Sequence, residues 1–242
     1  MFQSIDFSLL ALDAPGWGGA LLQGFWRSIQ LAAGGYAMGI VIGILGASAK
    51  LYGGLVMRDL AQVYTTVIRA VPELVLMLLF YYVGTDLLNR AAQSMGFAGI
   101  EVDGLAAGIL VIGLVQGGYA TEVIRGAIRA IPHGQIEAAQ AFGMSPLKVM
   151  RRVTLPAMTP HAIPGMANLW MIATKDTALL AVIGFSELTQ VTRQAASSTR
   201  SYFLFFLSAG ALYLLLTLVS NVILRRYEVR ARRGLIAAHQ AR

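Results

Sequence analysis

The chain has 242 residues, of which 57% are hydrophobic and only 13% are charged, and its formal net charge is +7. Its mean hydropathy is +0.65, which predicts an all-α membrane protein and excludes a water-soluble domain of ordinary composition. The absence of cysteine excludes disulfides and thiolate metal sites, and the three scattered histidines lack metal-ligand spacing.

Five apolar stretches predict transmembrane helices in a single domain covering residues 1–242. They lie at about 20–48, 60–85, 104–128, 160–185 and 202–224. The first is long and lacks a small-residue cleavage pattern, so we expect it to remain in the mature protein. It carries Gly35, Gly39 and Gly43 at four-residue spacing, which predicts close packing against another helix. The second contains Pro72, which predicts a bent helix.

Positive charge is concentrated on one side of the predicted bundle. Cytoplasmic loops of membrane proteins carry the excess of Lys and Arg. Here these residues follow the first span, at Lys50 and Arg58, and the third span, and they fill the tail at 225–242. We therefore expect the N-terminus outside and the C-terminus in the cytoplasm. The basic tail is interpreted as attracted to anionic lipid headgroups of the bilayer, so the net charge does not indicate nucleic acid.

A polar segment at residues 137–160 separates the third and fourth spans, within a cytoplasmic loop predicted at 132–156. Its first residues, EAAQAF, favour a helix, and Gly143 favours the left-handed conformation that ends one. Ser145 can cap a second, short helix with Pro146 in its first position. A structured helical hairpin in the loop of a membrane protein indicates a docking partner.

No motif for nucleotide hydrolysis is present, so any work driven by ATP requires a nucleotide site on another chain. Ionisable groups at membrane depth cost roughly 2.5–3.5 kcal/mol on insertion scales and are functional candidates by default. The candidates for substrate contact are Glu73 in the second span, Tyr119 and Glu122 in the third, and Asn168, Lys175, Asp176 and Leu179 in the fourth, where their offsets predict one helical face.

The charges of the fourth span have two interpretations. Lys175 and Asp176 complement the carboxylate and ammonium groups of an amino acid, or they pair with charges on neighbouring helices or lie in water at the periplasmic end of the span. Glu187, near the outer end of this span, is expected to be a solvated end charge.

The second and third spans present the same choice. Glu122 is three residues from Arg125, close enough along a helix to form an ion pair instead of binding a ligand. Glu73 either receives a cationic side chain or pairs with Arg69 across the proline.

Several stretches resemble a known family. They are RAVPELVLMLLFYY in the second span, YATEVIRGAIRAIPHGQIEAAQAFG at 119–143, Leu155–Pro156, Asn168, and KDTALLAVIG starting at Lys175. They are similar to the membrane permease subunits of ABC importers for polar amino acids, above all those for histidine, arginine, lysine, ornithine and opines. The stretch FYYVGTDLLNRAAQSMGFAGIEVDG, taken as a long outer loop, favours that branch. The substrate itself stays open.

The resemblance implies a type I ABC importer permease with five spans in a bacterial inner membrane. The implied partners are a second permease subunit, identical or homologous, two ATPase subunits and a periplasmic binding protein. ATP and Mg would be bound by the ATPase, so this chain is not expected to be an enzyme or to hold a cofactor. The polar segment resembles the EAA loop, whose implied ATPase-coupling residues here are Glu137, Ala138, Ala139, Gly143 and Ser145.

The sequence allows three other interpretations. The helix-glycine-helix pattern followed by Arg151 and Arg152 resembles a DNA-binding helix-turn-helix, but its position between two spans argues against this. An ATP-independent secondary transporter or channel predicts an inverted repeat, which the sequence lacks. A non-transporting assembly subunit remains open.

Overall fold

A computed structural model describes residues 6–97 and 103–240, with side chains described as far as residue 231. All regular structure in these residues is helical, which agrees with the predicted all-α class. The helices are α1 (Gly18–Tyr52), α2 (Leu55–Ala70), α3 (Glu73–Ser94), α4 (Gly104–Arg129), α5 (His133–Ala141), α6 (Pro146–Val149), α7 (Leu155–Asp176), α8 (Leu188–Thr199) and α9 (Tyr202–Gln240). Irregular helical turns occur at Phe7–Leu10, Met150–Thr154 and Thr177–Ile183.

Five stretches of the described residues are long and apolar enough to cross a membrane, the number predicted from the sequence. They are Gly18–Tyr52, Glu73–Ser94, Gly104–Arg129, Pro146–Ile183 and Tyr202–Ala231. The last helix, α9, continues to Gln240, so the predicted tail at 225–242 is helical over almost all of its length. Residues 241–242 lie outside the described part.

The second span differs most from its prediction. The sequence predicted one bent helix at 60–85, whereas the chain forms α2 and α3, and of these α3 alone has the length and composition of a span. Pro72 has no N–H to donate, and Val71 before it adopts an extended backbone with φ −100° and ψ 139°. The helix is therefore broken rather than bent.

The long outer loop expected after the second span is also mostly helical. Helix α3 extends to Ser94, and α4 begins at Gly104. Residues 98–102, which belong to the same predicted loop, lie outside the described part of the chain.

The fourth span begins earlier than predicted. From Pro146 the chain runs through α6, a π-helical turn and α7 without a break in helical backbone. The second helix of the polar segment is therefore not a short separate helix but the start of a stretch that extends to Ile183. The loop predicted at 132–156 reduces to α5 and a turn ending at Ser145.

Helices α1 and α4 pack along their length through the predicted glycine face. A Cβ atom on Gly39 would lie 2.8 Å from the Cβ of Gln116, and one on Gly43 would lie 2.6 Å from the Cβ of Ala120. Both distances are shorter than van der Waals contact. The backbones thus approach as closely as they do because these positions lack a side chain.

Glu187 also differs from its prediction, because it is buried rather than solvated. Its exposure is 0%. Its Oε1 accepts the backbone N–H of Gln190 at 2.8 Å, and its Oε2 accepts the hydroxyls of Ser28 and Tyr213, each at 3.1 Å. Burial raises the pKa of this carboxyl above its ordinary value. Glu187 therefore caps α8 and ties it to α1 and α9.

Candidate substrate site and coupling surface

The break between α2 and α3 places a carboxyl group inside the bundle. Glu73 is the first residue of α3 and is half-buried. It interacts electrostatically with Tyr119 of α4 and with Asp176 at the end of α7. Glu73, Tyr119 and Asp176, which were predicted as substrate contacts from three separate spans, therefore lie close together. Discontinuous helices that expose polar groups at membrane depth are typical of transporter binding sites.

A glutamine that the sequence analysis did not nominate completes this cluster. Gln116 donates from Nε2 to Oδ2 of Asp176 at 2.9 Å, and Asp176 is only 6% exposed. The Oε1 atom of Gln116 is buried and has no hydrogen-bond partner in the described part of the structure. A buried acceptor without a partner is unfavourable, and a ligand with N–H groups would satisfy it. The available signal was a lone glutamine within the apolar stretch GLVQGGY.

Two cations lie close enough to influence the cluster. Arg69, in the last turn of α2, acts on Tyr119, and Lys175 acts on Asp176. Both cations are exposed. Within the described residues no ion pair joins Arg69 to Glu73, so the structure does not contain the pairing across Pro72. The cluster thus combines carboxyl groups with nearby cations.

The other candidates from the fourth span do not share this environment. Asn168 is exposed on α7, as Lys175 is, whereas Asp176 is buried. Leu179 lies in the turn at Thr177–Ile183 and packs against the core. Asn168, Lys175 and Asp176 therefore keep their predicted spacing within α7, whereas Leu179 lies beyond the helix end in a tighter turn that changes its direction.

Glu122 belongs to an ion network near the C-terminal ends of α1 and α4. Its Oε1 pairs with Nζ of Lys50 at 2.5 Å, and its Oε2 pairs with Nη2 of Arg125 at 2.5 Å. Lys50 also donates to Gln62 at 2.8 Å and to Thr65 at 2.5 Å. The Lys50 side chain is only 3% exposed, so it is not the loop charge that the sequence suggested. Both oxygens of Glu122 are occupied by cations of the chain itself, and we leave it out of the proposed substrate contacts.

The turn of the polar segment matches its prediction in part. Gly143 has φ +72°, and its N–H donates to the carbonyl of Gln140 at 2.8 Å. Ser145 occupies the position before α6 and Pro146 is the first residue of that helix, but the Ser145 side chain makes no capping hydrogen bond. The glycine ends α5 as predicted, whereas the serine cap is absent.

An exposed apolar surface surrounds this turn. Glu137 and Ala138 are exposed on α5, whereas Ala139 is buried. Phe142 is 85% exposed and Leu147 is 76% exposed. Contiguous exposed apolar patches mark interaction sites, and these two side chains flank the turn at Gly143. Phe142 and Leu147 were not nominated from the sequence, although a phenylalanine directly before a helix-ending glycine was visible there.

Relatives with known names cover nearly the whole chain. The octopine transport system permease protein OccQ of Rhizobium radiobacter is 38% identical over 233 residues, which is 96% of this chain and 98% of OccQ. The histidine/lysine/arginine/ornithine transport system permease protein HisQ of Escherichia coli (strain K12) is 40% identical over 223 residues, which is 90% of this chain and 98% of HisQ. The nopaline transport system permease protein NocQ of Agrobacterium fabrum is 41% identical over 232 residues, which is 95% of this chain and 98% of NocQ.

The fold has a close counterpart among solved structures. A crystal structure of an amino acid ABC transporter with histidines superposes with a TM-score of 0.76 and 26% identity, covering 94% of this chain and 100% of that chain. Residues 39–233 match the family model for the binding-protein-dependent transport system inner membrane component. The chain therefore belongs to this family of inner membrane transport components.

Proposed function

We propose that this chain is the permease subunit of an ATP-driven importer that moves a cationic amino acid or an opine from the periplasm to the cytoplasm. The names of its relatives support this substrate class, because OccQ, HisQ and NocQ are named for octopine, for histidine, lysine, arginine and ornithine, and for nopaline. The main structural support for this proposal is the cluster of acceptors formed by Glu73, Asp176 and the unpartnered amide oxygen of Gln116.

This cluster suits a ligand with several N–H donors and a positive charge. Two neighbouring carboxyl groups repel each other when both are ionised, and a cation placed between them removes that repulsion. Ammonium and guanidinium groups supply the charge together with donors for Gln116. Arg69 and Lys175 lie beside the cluster and offer charge-assisted contacts to the carboxylate of the same ligand.

Energy would come from partner chains. In this proposal two ATPase subunits bind ATP and Mg, a second permease subunit completes the pathway, and a periplasmic binding protein delivers the substrate. The turn at Gly143, with exposed Phe142 and Leu147, supplies a rigid surface for the ATPase. Movement of that surface would be transmitted directly to the fourth span, because α6 and α7 form one continuous helix.

The substrate assignment is tested by Asp176→Asn in the complex reconstituted into proteoliposomes. Loss of one charge-assisted contact, worth about 1.5–3 kcal/mol, should raise the KM for uptake of a cationic amino acid at least tenfold. Asp59→Asn, which changes an exposed carboxylate of α2, is the matched control and should leave the KM unchanged. An unaltered KM in Asp176→Asn, or ATPase stimulation by neutral amino acids alone, would contradict the proposal. Uptake without the ATPase would support an ATP-independent transporter instead.

A further inference from the structure

A pocket lies apart from the substrate cluster, between α8 and the first turns of α9. Its volume is about 510 Å³, and its lining residues are Gln190, Arg193, Gln194, Ser197, Tyr202 and Phe206. The four α8 residues recur at helical spacing and share one face. The opposite face of α8, with Leu188 and Thr192, is buried. The pocket is therefore formed by the polar side of one helix and two aromatic rings of the next.

The pocket carries one positive charge and many hydrogen-bond donors. Arg193 is exposed and forms no ion pair within the described part of the chain. None of the lining residues is acidic. The carboxylate of Glu187 lies nearby along the chain, but it is buried against Ser28 and Tyr213. A guanidinium group beside amide and hydroxyl donors is suited to the oxygens of a phosphate group.

The same pocket lies at the border of the membrane. The spanning part of α9 begins at Tyr202, and tyrosine is enriched where spans meet water. Phe206 lies one turn deeper. The opposite end of α9 carries the basic cytoplasmic tail, so charge placement puts Tyr202 on the periplasmic side.

An exposed apolar stripe continues along α9 from the pocket into the membrane. Its exposed members include Phe203, Leu207, Leu214 and Leu218. Gly210 lies between them with no heavy atom within 4 Å of where its Cβ would be. The absence of a side chain at Gly210 leaves room for an acyl chain against this part of α9.

We propose that this pocket binds one anionic phospholipid of the outer leaflet of the inner membrane. Arg193 and the donors of α8 hold the phosphate, and an acyl chain follows the stripe on α9. A soluble anion would contact only the polar residues of α8, and it would not account for the aromatic rings of Tyr202 and Phe206 on the other side of the pocket. An acidic protein surface fits less well, because Phe206 and the stripe lie at the depth of the hydrocarbon. The headgroup is anionic because a net charge of −1 balances the single uncompensated arginine.

The test uses the purified complex of this chain with its partner subunits in detergent. The complex is titrated with phosphatidylglycerol or with phosphatidylcholine, and bound lipids are counted by native mass spectrometry. We expect phosphatidylglycerol to be preferred, and Arg193→Gln to weaken one phosphatidylglycerol site per copy about tenfold. Arg200→Gln removes the same charge from an exposed position that does not line the pocket, and it should leave that site unchanged.

Four outcomes would overturn the proposal. The first is equal phosphatidylglycerol binding by the Arg193 and Arg200 variants, and the second is equal binding of the two lipids by the parent. The third is competition by inorganic phosphate or glycerol 3-phosphate as strong as that by the lipid, which would identify a soluble anion. The fourth is an Arg193 variant that keeps its lipid but loses affinity for the binding protein. Size-exclusion profiles of both variants establish that the complex is intact.

Discussion

The left-handed backbone of Gly143 permits a sharp test of the coupling surface. Its φ is +72°, and no heavy atom lies within 4 Å of where a Cβ would be placed. A side chain here would therefore strain the backbone without causing a clash. That strain is roughly 1–2 kcal/mol for an L-residue, so Gly143→Val should lower the equilibrium constant for forming the turn about tenfold. We expect substrate-stimulated ATP hydrolysis in proteoliposomes, with binding protein present, to fall by up to that factor.

Two further substitutions separate the effect of φ from that of size. Asn enters the left-handed region more readily than other side chains, so Gly143→Asn should stay near the parent rate. Gly143→Pro fixes φ near −65° and removes the N–H that donates to Gln140, so it should be the most damaging change, while the amount of inserted protein stays unchanged. Parent rates for both Val and Pro would refute the coupling role. Equal damage by Asn and Val would show that φ is not the reason for the glycine.

Two predictions concern buried polar groups and are read from the melting temperature of the purified complex. Lys50→Met should destabilise the complex by about 2 kcal/mol, because Glu122 loses a charged donor. Adding Glu122→Gln to this variant should restore part of the lost stability. If the effects of the two changes simply add, Lys50 and Glu122 do not pair directly. Glu187→Leu should destabilise by about 3 kcal/mol, because it leaves the N–H of Gln190 unpaired and removes the charged acceptor shared by the hydroxyls of Ser28 and Tyr213. Glu187→Gln keeps an acceptor and should be milder, so equal losses would show that packing, rather than these bonds, determines the role of Glu187.

Features that depend only on residues close together along the chain were predictable from the sequence. The glycines at 39 and 43 indicated a packing face, because a helix brings residues four apart onto one side. Gly143 indicated the end of α5, because few other residues adopt its φ without strain. Pro72 indicated an interruption, but its severity depended on whether neighbouring helices could accommodate two separate helix ends.

The sequence by itself determined the membrane class, the number of spans and the position of the polar segment. Only the tertiary structure decided which polar groups meet. Gln116 contacts Asp176 across 60 residues, Lys50 reaches Glu122 across 72, and Ser28 reaches Glu187 across 159. Periodicity shows which face of a helix a residue occupies, but the partner of that face depends on how all the helices pack together. For that reason Glu122 and Glu187, both carboxylates beside apolar stretches, became members of buried networks, whereas Glu73 and Asp176 became the candidate substrate site.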